Sequence, residues 1–405
     1  MFKLISPQCF SDFVKVCNSV LIFLFMSFLV VGSVNLITTT ILLLTIIVLP
    51  FLRPRYFLKS DFILFFSFLL FGLYHALHSY IFIESLTSGV EKYLKFLAGA
   101  FYFLVLVQYG YNKFAFFAGA FLGGVLSALF VIYEVFYNGY IGRVGLGHNP
   151  IAFSILMCFY AVSTVYFSRL VSSWFRYFLI VCSFFMVFAS VYSGTRNAYL
   201  LYIVFFVYFM YLYKDSLALF FSKKIYRFSF ILIFVFLSFL FVNMNVVEQR
   251  LKATFGELEM ILEGDLTSSF GQRLQMWDAG IYLFRNNILF GHGSDRQVIN
   301  NNLKDYYKEK NYIDDLMLRY SHFHNIFIDQ LAKYGIIGLL LLIILFFSII
   351  NRFKNSHSNS LLIVFIIIFL VASLTDVPFN QNRTMMAFII FSVFLSVNAK
   401  GLEKK

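Results

Sequence analysis

Apolar runs of about 20 residues recur along most of the chain, and each is long enough to cross a bilayer as a helix rising 1.5 Å per residue. They fall near 16–33, 35–52, 61–83, 94–110, 114–137, 150–168, 177–193, 197–213, 228–244, 327–350, 360–376 and 382–398. The expected fold is an all-α polytopic integral membrane protein with about 12 transmembrane helices. Of the 405 residues, 60% are hydrophobic and only 13% charged. A soluble domain carries about 25% charge, and a water-soluble protein this apolar could not cover its own surface. A cytosolic enzyme, a disordered chain and a disulfide-stapled secreted domain are thereby excluded. The net charge of +12 sits at the ends of apolar runs, which points to topology rather than to nucleic acid. Cys9, Cys17, Cys158 and Cys182 lie in or beside these runs without metal-ligand spacing and read as buried free thiols. The first run lacks a small-residue cleavage site and reads as a retained anchor.

Basic residues set the orientation. With the N-terminus inside, the inside segments hold Lys3, Lys15, Arg53, Arg55, Lys59, Lys113, Arg169, Arg176, Lys214, Lys223, Lys224, Arg227, Arg352, Lys354, Lys400, Lys404 and Lys405. The short outside segments hold only Lys92, Lys95, Arg143, Arg196 and Arg383. Both termini are therefore expected in the cytoplasm. The domain reading is helices one to nine over 1–244, an outer loop region over 245–326, and helices ten to twelve with a tail over 327–405. The loop carries charges of both signs, including Glu257, Arg273 and Asp278. Such balance reads as a small folded region rather than a polybasic tail. Leu274, Trp277, Ile281 and Phe284 recur at spacings of three and four, which predicts an amphipathic helix over 271–287, capped by Ser268 or Ser269 and closed by Gly291-His292-Gly293-Ser294. Residues 297–318 read as a solvated helical stretch. No internal repeat is present, which weighs against a transporter built from inverted repeats.

Ionisable groups near membrane depth are costly, so each is a functional candidate. Arg196 stands in Ser193-Gly194-Thr195-Arg196-Asn197 at an outer edge, either snorkelling or aimed at a phosphate or carboxylate. Arg273, in Gly271-Gln272-Arg273-Leu274-Gln275-Met276-Trp277, opens the loop helix. An arginine there works against the helix dipole unless an anion is near, and its alternative is a surface pair with Asp278 or Glu263. In Ser321-His322-Phe323-His324-Asn325 a histidine is the natural general base. A His-x-His pair also suits a metal, but no nearby cysteine or carboxylate completes a set, and no metal is expected. Asp329 and Lys333 follow at i+4 spacings from Asn325. Asp376 and Arg383 flank a short outer turn and either pair with each other or serve the site. Arg143 lies in the glycine-rich Gly142-Arg143-Val144-Gly145, a weak anion-binding pattern. His75 and His78, one turn apart, read as packed against neighbouring helices, and Gly119 with Gly123 as a close helix contact. There is no P-loop, HExxH or GxSxG. Several arginines and a histidine on one outer face suggest transfer from a lipid-diphosphate donor to an alcohol, without a nucleotide.

Four stretches resemble the O-antigen ligase family, within the wider O-antigen polymerase/ligase group of membrane glycosyltransferases. They are Ser193-Gly194-Thr195-Arg196-Asn197-Ala198, Gly271 to Trp277, His324-Asn325 followed by Gly335-Ile336-Ile337-Gly338, and Leu374-Thr375-Asp376-Val377 with Arg383. The first five runs match in hydropathy only. The resemblance implies a bacterial inner-membrane enzyme with one large periplasmic helical loop between the ninth and tenth helices. It implies transfer of a glycan from undecaprenyl diphosphate to a sugar hydroxyl of the lipid A-core at the periplasmic face, with inversion and without metal, cofactor or nucleic acid. His324 would be the general base, with Arg196 and Arg273 on the diphosphate. Arg143, His322, Asn325, Asp376 and Arg383 would support substrate binding. Polymerases and protein O-oligosaccharyltransferases share these motifs. A lipid-linked glycan flippase is the reading from another class, and it would tolerate loss of His324.

Overall fold

The computed structural model describes residues 7–32, 34–82, 89–140, 142–172, 174–220, 245–313, 316–352 and 359–397, and the regular structure among them is all helical. In chain order the helices are α1 (Pro7–Phe28), α2 (Val34–Val48), α3 (Lys59–Phe82), α4 (Gly89–Tyr109), α5 (Lys113–Ile132), α6 (Pro150–Leu170), α7 (Trp174–Val191), α8 (Arg196–Phe220), α9 (Asn245–Leu262), α10 (Ser269–Asn286), α11 (Arg296–Glu309), α12 (Leu316–Tyr320), α13 (Ile326–Asn351), α14 (Asn359–Ser373) and α15 (Asn382–Leu395). Seven helices among the described residues are long and apolar enough to cross a membrane, and three shorter apolar ones accompany them. The expected run at 228–244 lies outside the described residues. α1 begins upstream of its apolar run, in polar turns where Gln8 donates to Asp12 at 3.2 Å.

The bundle is built around α6. Pro150 opens it at a position that lacks an intrahelical partner anyway, and Asn149 accepts from the Ile151 amide at 2.9 Å. Nearly every residue of α6 is buried, whereas α1, α2 and α8 keep apolar side chains such as Phe13, Leu36 and Val207 on the outside, as lipid-facing helices do. The most extensive packing joins α3 with α4, α6 with α7 and α1 with α5. The glycines of α5 explain the last pair. A Cβ on Gly123 would stand 2.4 Å from the Met26 carbonyl oxygen, and one on Gly119 2.6 Å from that of Phe23. No side chain fits between the two backbones.

At the end of the bundle remote from 245–325, Arg352 is buried rather than set in solvent as a topology marker. Its guanidinium pairs with Asp61 at 2.7 Å and donates to Ser60 Oγ at 2.5 Å and to the Ser396 carbonyl at 3.0 Å. It thus ties α13 to α3 and to the end of α15. Removing one partner of such a pair strands the other charge. Arg352→Met is expected to destabilise the protein by about 3–5 kcal/mol, read as a lowered thermal transition in detergent. Asp61→Asn with Arg352→Met should regain much of the loss. A single Arg352→Met as stable as the wild type would refute the account.

The other end is capped by α9 to α12. Met276, Ala279 and Leu283 of α10, Ile299, Leu303 and Tyr307 of α11, and Leu316 and Met317 enclose a second core that also takes Phe323 and Ala332. Ser268 caps α10 by accepting from the Gly271 amide at 3.1 Å. Residues 297–318 are not one helix: α11 stops at Glu309, Asn311 turns with φ of 55°, and α12 restarts the chain.

The cap is spliced to the bundle at Gly335. There φ is 66° and α13 departs from helical geometry, a conformation open chiefly to glycine. The carbonyls of Ala332 and Lys333 instead accept from the His292 and Gly293 amides at 3.0 and 2.9 Å, and the Ile336 amide donates to Ile288 at 2.8 Å. A Cβ on Gly335 would lie 2.2 Å from the Leu289 oxygen. His75 and His78 brace the same region. His75 Nε2 meets Gln330 Oε1 at 2.6 Å, and His78 Nε2 meets the Phe290 carbonyl at 2.7 Å.

Candidate active site

The turn between α12 and α13 fixes the two histidines. Phe323 is fully buried in the cap core, against α10 at Gly280, so the residues on either side of it turn the other way. Ser321 and His324 take left-handed conformations, with φ of 58° and 50°. Such backbone costs energy outside glycine and persists where its surroundings impose it. Those surroundings are identifiable. Asp329 accepts from the Phe323 amide at 3.2 Å and pairs with Lys333 at 2.8 Å, and Lys333 donates to the Ser321 carbonyl at 2.9 Å. Asn325 caps α13 through the Phe327 amide at 2.9 Å and donates to the Leu374 carbonyl at 3.2 Å. That last bond brings the stretch after α14 alongside the turn.

Asp376, on that stretch, meets both rings. Its Oδ1 is 3.1 Å from His322 Nε2 and 3.4 Å from His324 Nδ1, and the three side chains are buried. Asp376 therefore serves the histidines and not Arg383. The two imidazoles differ in what remains to them. His322 Nδ1 faces the Tyr320 carbonyl, so both its nitrogens are engaged. His324 turns Nδ1 to the carboxylate and keeps Nε2 without a hydrogen bond among the described residues. Burial pushes the His324 imidazole below its usual range. Asp376 pulls it the other way, while His322 and Arg273 add to the downward push. Burial alone would raise the Asp376 carboxyl, but the hydrogen bonds from His322 and His324 outweigh it and hold Asp376 well below the usual carboxylate range. A neutral imidazole oriented by a carboxylate is the arrangement a general base requires.

The arginines approach from two elements. Arg196 opens α8, and its fork grips Glu257 of α9 at 2.5 and 2.6 Å. Arg273 lies on α10, two residues further in than the sequence places it, because α10 already begins at Ser269. One of its expected surface partners is engaged elsewhere: Asp278 accepts from Tyr306 at 2.6 Å and Tyr312 at 3.1 Å. Burial pushes the Arg273 guanidinium below its usual range, opposed by Asp376, and Arg196, Glu257 and Tyr320 also lie within its electrostatic reach. Arg196, Arg273, His322, His324, Asn325 and Asp376 thus share one neighbourhood, bounded by α8, α10, the start of α13 and the stretch after α14.

Two candidates stand apart from it. Arg383 donates to the carbonyls of Leu29 at 2.9 Å and Gly32 at 2.7 Å, and to that of Val30. It caps the end of α1, where such carbonyls lack partners, beside His148 on an open cleft of about 530 Å3. Arg143 donates to the Ser193 carbonyl at 3.3 Å and so supports the turn before Arg196. Glu257, Asp329 and Lys333 are site residues to which sequence reasoning assigned no role. The i+4 spacing of the last two was the available signal. His322, His324 and Asp376 present ligand atoms within 4.8 Å of one another, so a cation would find three donors there. The sequence reading overlooked Asp376 as the completing carboxylate.

A family model described as O-antigen ligase matches residues 181–343. Over that segment the chain is similar to the O-antigen ligase family. The matched segment runs from α7 through the cap into α13, and it holds Arg196, Glu257, Arg273, His322 and His324. Asp376, Arg383 and Arg143 lie outside it. No curated protein matches the chain.

The carboxylate–imidazole coupling has a measurable sign. If neutral His324 is the active form, its depressed pKa puts the acid limb of the rate below the usual histidine midpoint of about 6.5. In Asp376→Asn the interaction that favours imidazolium is lost, so the limb should move further down in pH. The plateau should fall on the order of 100-fold or more as orientation is lost. Turnover against pH for the two proteins checks this, and an upward move of the limb would refute the coupling.

Proposed function

We propose that the protein transfers a glycan from undecaprenyl diphosphate to a sugar hydroxyl of the lipid A-core, as an O-antigen ligase of the bacterial inner membrane with its site on the periplasmic side. The observation that carries this reading is His324, held by Asp376 on one nitrogen and open on the other, beside two arginines. Basic residues concentrated on the opposite side of the apolar runs support the orientation.

In this reading the acceptor hydroxyl gives its proton to His324 Nε2 while its oxygen attacks the anomeric carbon. The bond from that carbon to the diphosphate oxygen breaks, and the electron pair leaves with undecaprenyl diphosphate. Arg196 and Arg273 stabilise the charge gathering on the leaving group. Attack opposite the leaving group inverts the anomeric centre. Asp376 stabilises the imidazolium as it forms. Neither the proton transfer nor leaving-group stabilisation calls for a metal.

The test is a lipopolysaccharide gel from the host with and without the gene, together with analysis of lipid-linked glycans. Loss of all O-antigen bands, with polymer accumulating on the carrier lipid, is the expected result. A core bearing a single repeat would mean a polymerase. An unchanged ladder would overturn the ligase reading and direct attention to protein glycosylation or transport. Transfer by the purified protein should survive chelation of divalent cations, whereas its loss would assign a metal to His322, His324 and Asp376.

A further inference from the structure

We propose that Glu257 is an internal stand-in for the donor's diphosphate, a latch that fills the anion site until the donor displaces it. The inference rests on the reading of Arg196 and Arg273 given above. Three features of the contact support it. The carboxylate takes the Arg196 fork at two points, the planar geometry by which arginine also recognises phosphate oxygens. Glu257 Oε2 also accepts from the Phe270 amide at 3.2 Å, at the start of α10, where backbone donors favour an anion. Arg273, on the same helix, has no hydrogen bond or ion pair among the described residues, although Glu257 is within its electrostatic reach.

One carboxylate therefore sits among two guanidinium groups and a helix start, and satisfies only the first of the guanidinium groups. A diphosphate brings more charge and more oxygens, and can engage both arginines at once. The exchange is favourable on charge, and its cost is the release of α9. That helix is weakly held: among the described residues its one substantial helix contact is with α10. Phe255, Leu258 and Leu262 lie exposed along it at spacings of three and four. A purely structural pair would have no reason to leave Arg273 unmatched next to it.

The experiment uses the full-length protein in nanodiscs, with inorganic pyrophosphate as the probe and calorimetry as the readout. Glu257→Gln should bind pyrophosphate about tenfold more tightly than the wild type, and the donor KM should fall by a similar factor. Arg196 is 30% exposed at its side chain, so water can take over its donors in the variant. In the wild type, pyrophosphate should speed hydrogen exchange across residues 252–270 as α9 is released, a readout that needs no variant. Equal or weaker binding by Glu257→Gln, a loss in kcat at unchanged KM, or slowed exchange would overturn the latch. If neither protein binds pyrophosphate while Arg273→Ala still transfers glycan, the diphosphate reading itself fails, and the latch with it.

Discussion

His324→Ala is expected to insert and fold as the wild type does and to transfer glycan on the order of 10²–10⁴ times more slowly, the usual contribution of a positioned base. Folding should survive because the ring does not fill the cap core; Phe323 does, and it remains. The left-handed backbone at 324 is imposed by Asp329, Lys333 and the Asn325 cap, which the substitution leaves alone. His322→Ala provides the contrast. Both His322 nitrogens are engaged, so its loss should disturb Asp376 and weaken turnover less than loss of the base. The two variants, matched for amount in membranes and compared by lipopolysaccharide gel and by rate with purified donor, decide the assignment. Normal transfer by His324→Ala would eliminate it as the base, and a deeper defect in His322→Ala would move the role there.

Arg273→Lys is the second large effect, a loss of roughly 100- to 1,000-fold with the charge formally kept. The ammonium is a point charge that reaches one oxygen at a time, whereas the guanidinium offers a planar fork. The side chain projects from α10, which is locked to the histidine turn through Gly280, Phe323 and Ile328. A lysine cannot recover the lost reach by moving its helix. The defect should appear with the lipid-diphosphate donor whatever acceptor is supplied. Wild-type rates in Arg273→Lys would refute bidentate binding at that position.

What the sequence disclosed follows from the range of the interactions involved. Helices were legible because a 20-residue apolar run needs no partner to be recognised, and the Ser268 cap because the amide that donates to it lies three residues away. Asp376 meeting His322 and His324 was not, since the contact spans some fifty residues and depends on Asn325 reaching Leu374. Proximity in sequence misdirected two arginines. Arg383 stands close to Asp376 along the chain but spends its donors on the end of α1, and Arg352 lies in a basic segment yet is buried against Asp61. Glu257 was one of many loop charges, and only the fold distinguishes it by setting Arg196 in front of it. The break in helix 297–318 turned on Asn311, which tolerates a left-handed turn without advertising one.

The interruption of α13 at Gly335 governs how the molecule comes apart. A continuous helix would keep the carbonyls of Ala332 and Lys333 for its own next turn. Here they belong to His292 and Gly293, and Ile336 donates back to Ile288. Local opening normally proceeds by units whose hydrogen bonds close among themselves. This ladder is shared, so the loop at 288–293 cannot open without unpairing the middle of the long helix. The two form one cooperative unit, and the histidine turn inherits the stability of the bundle although it lies outside it.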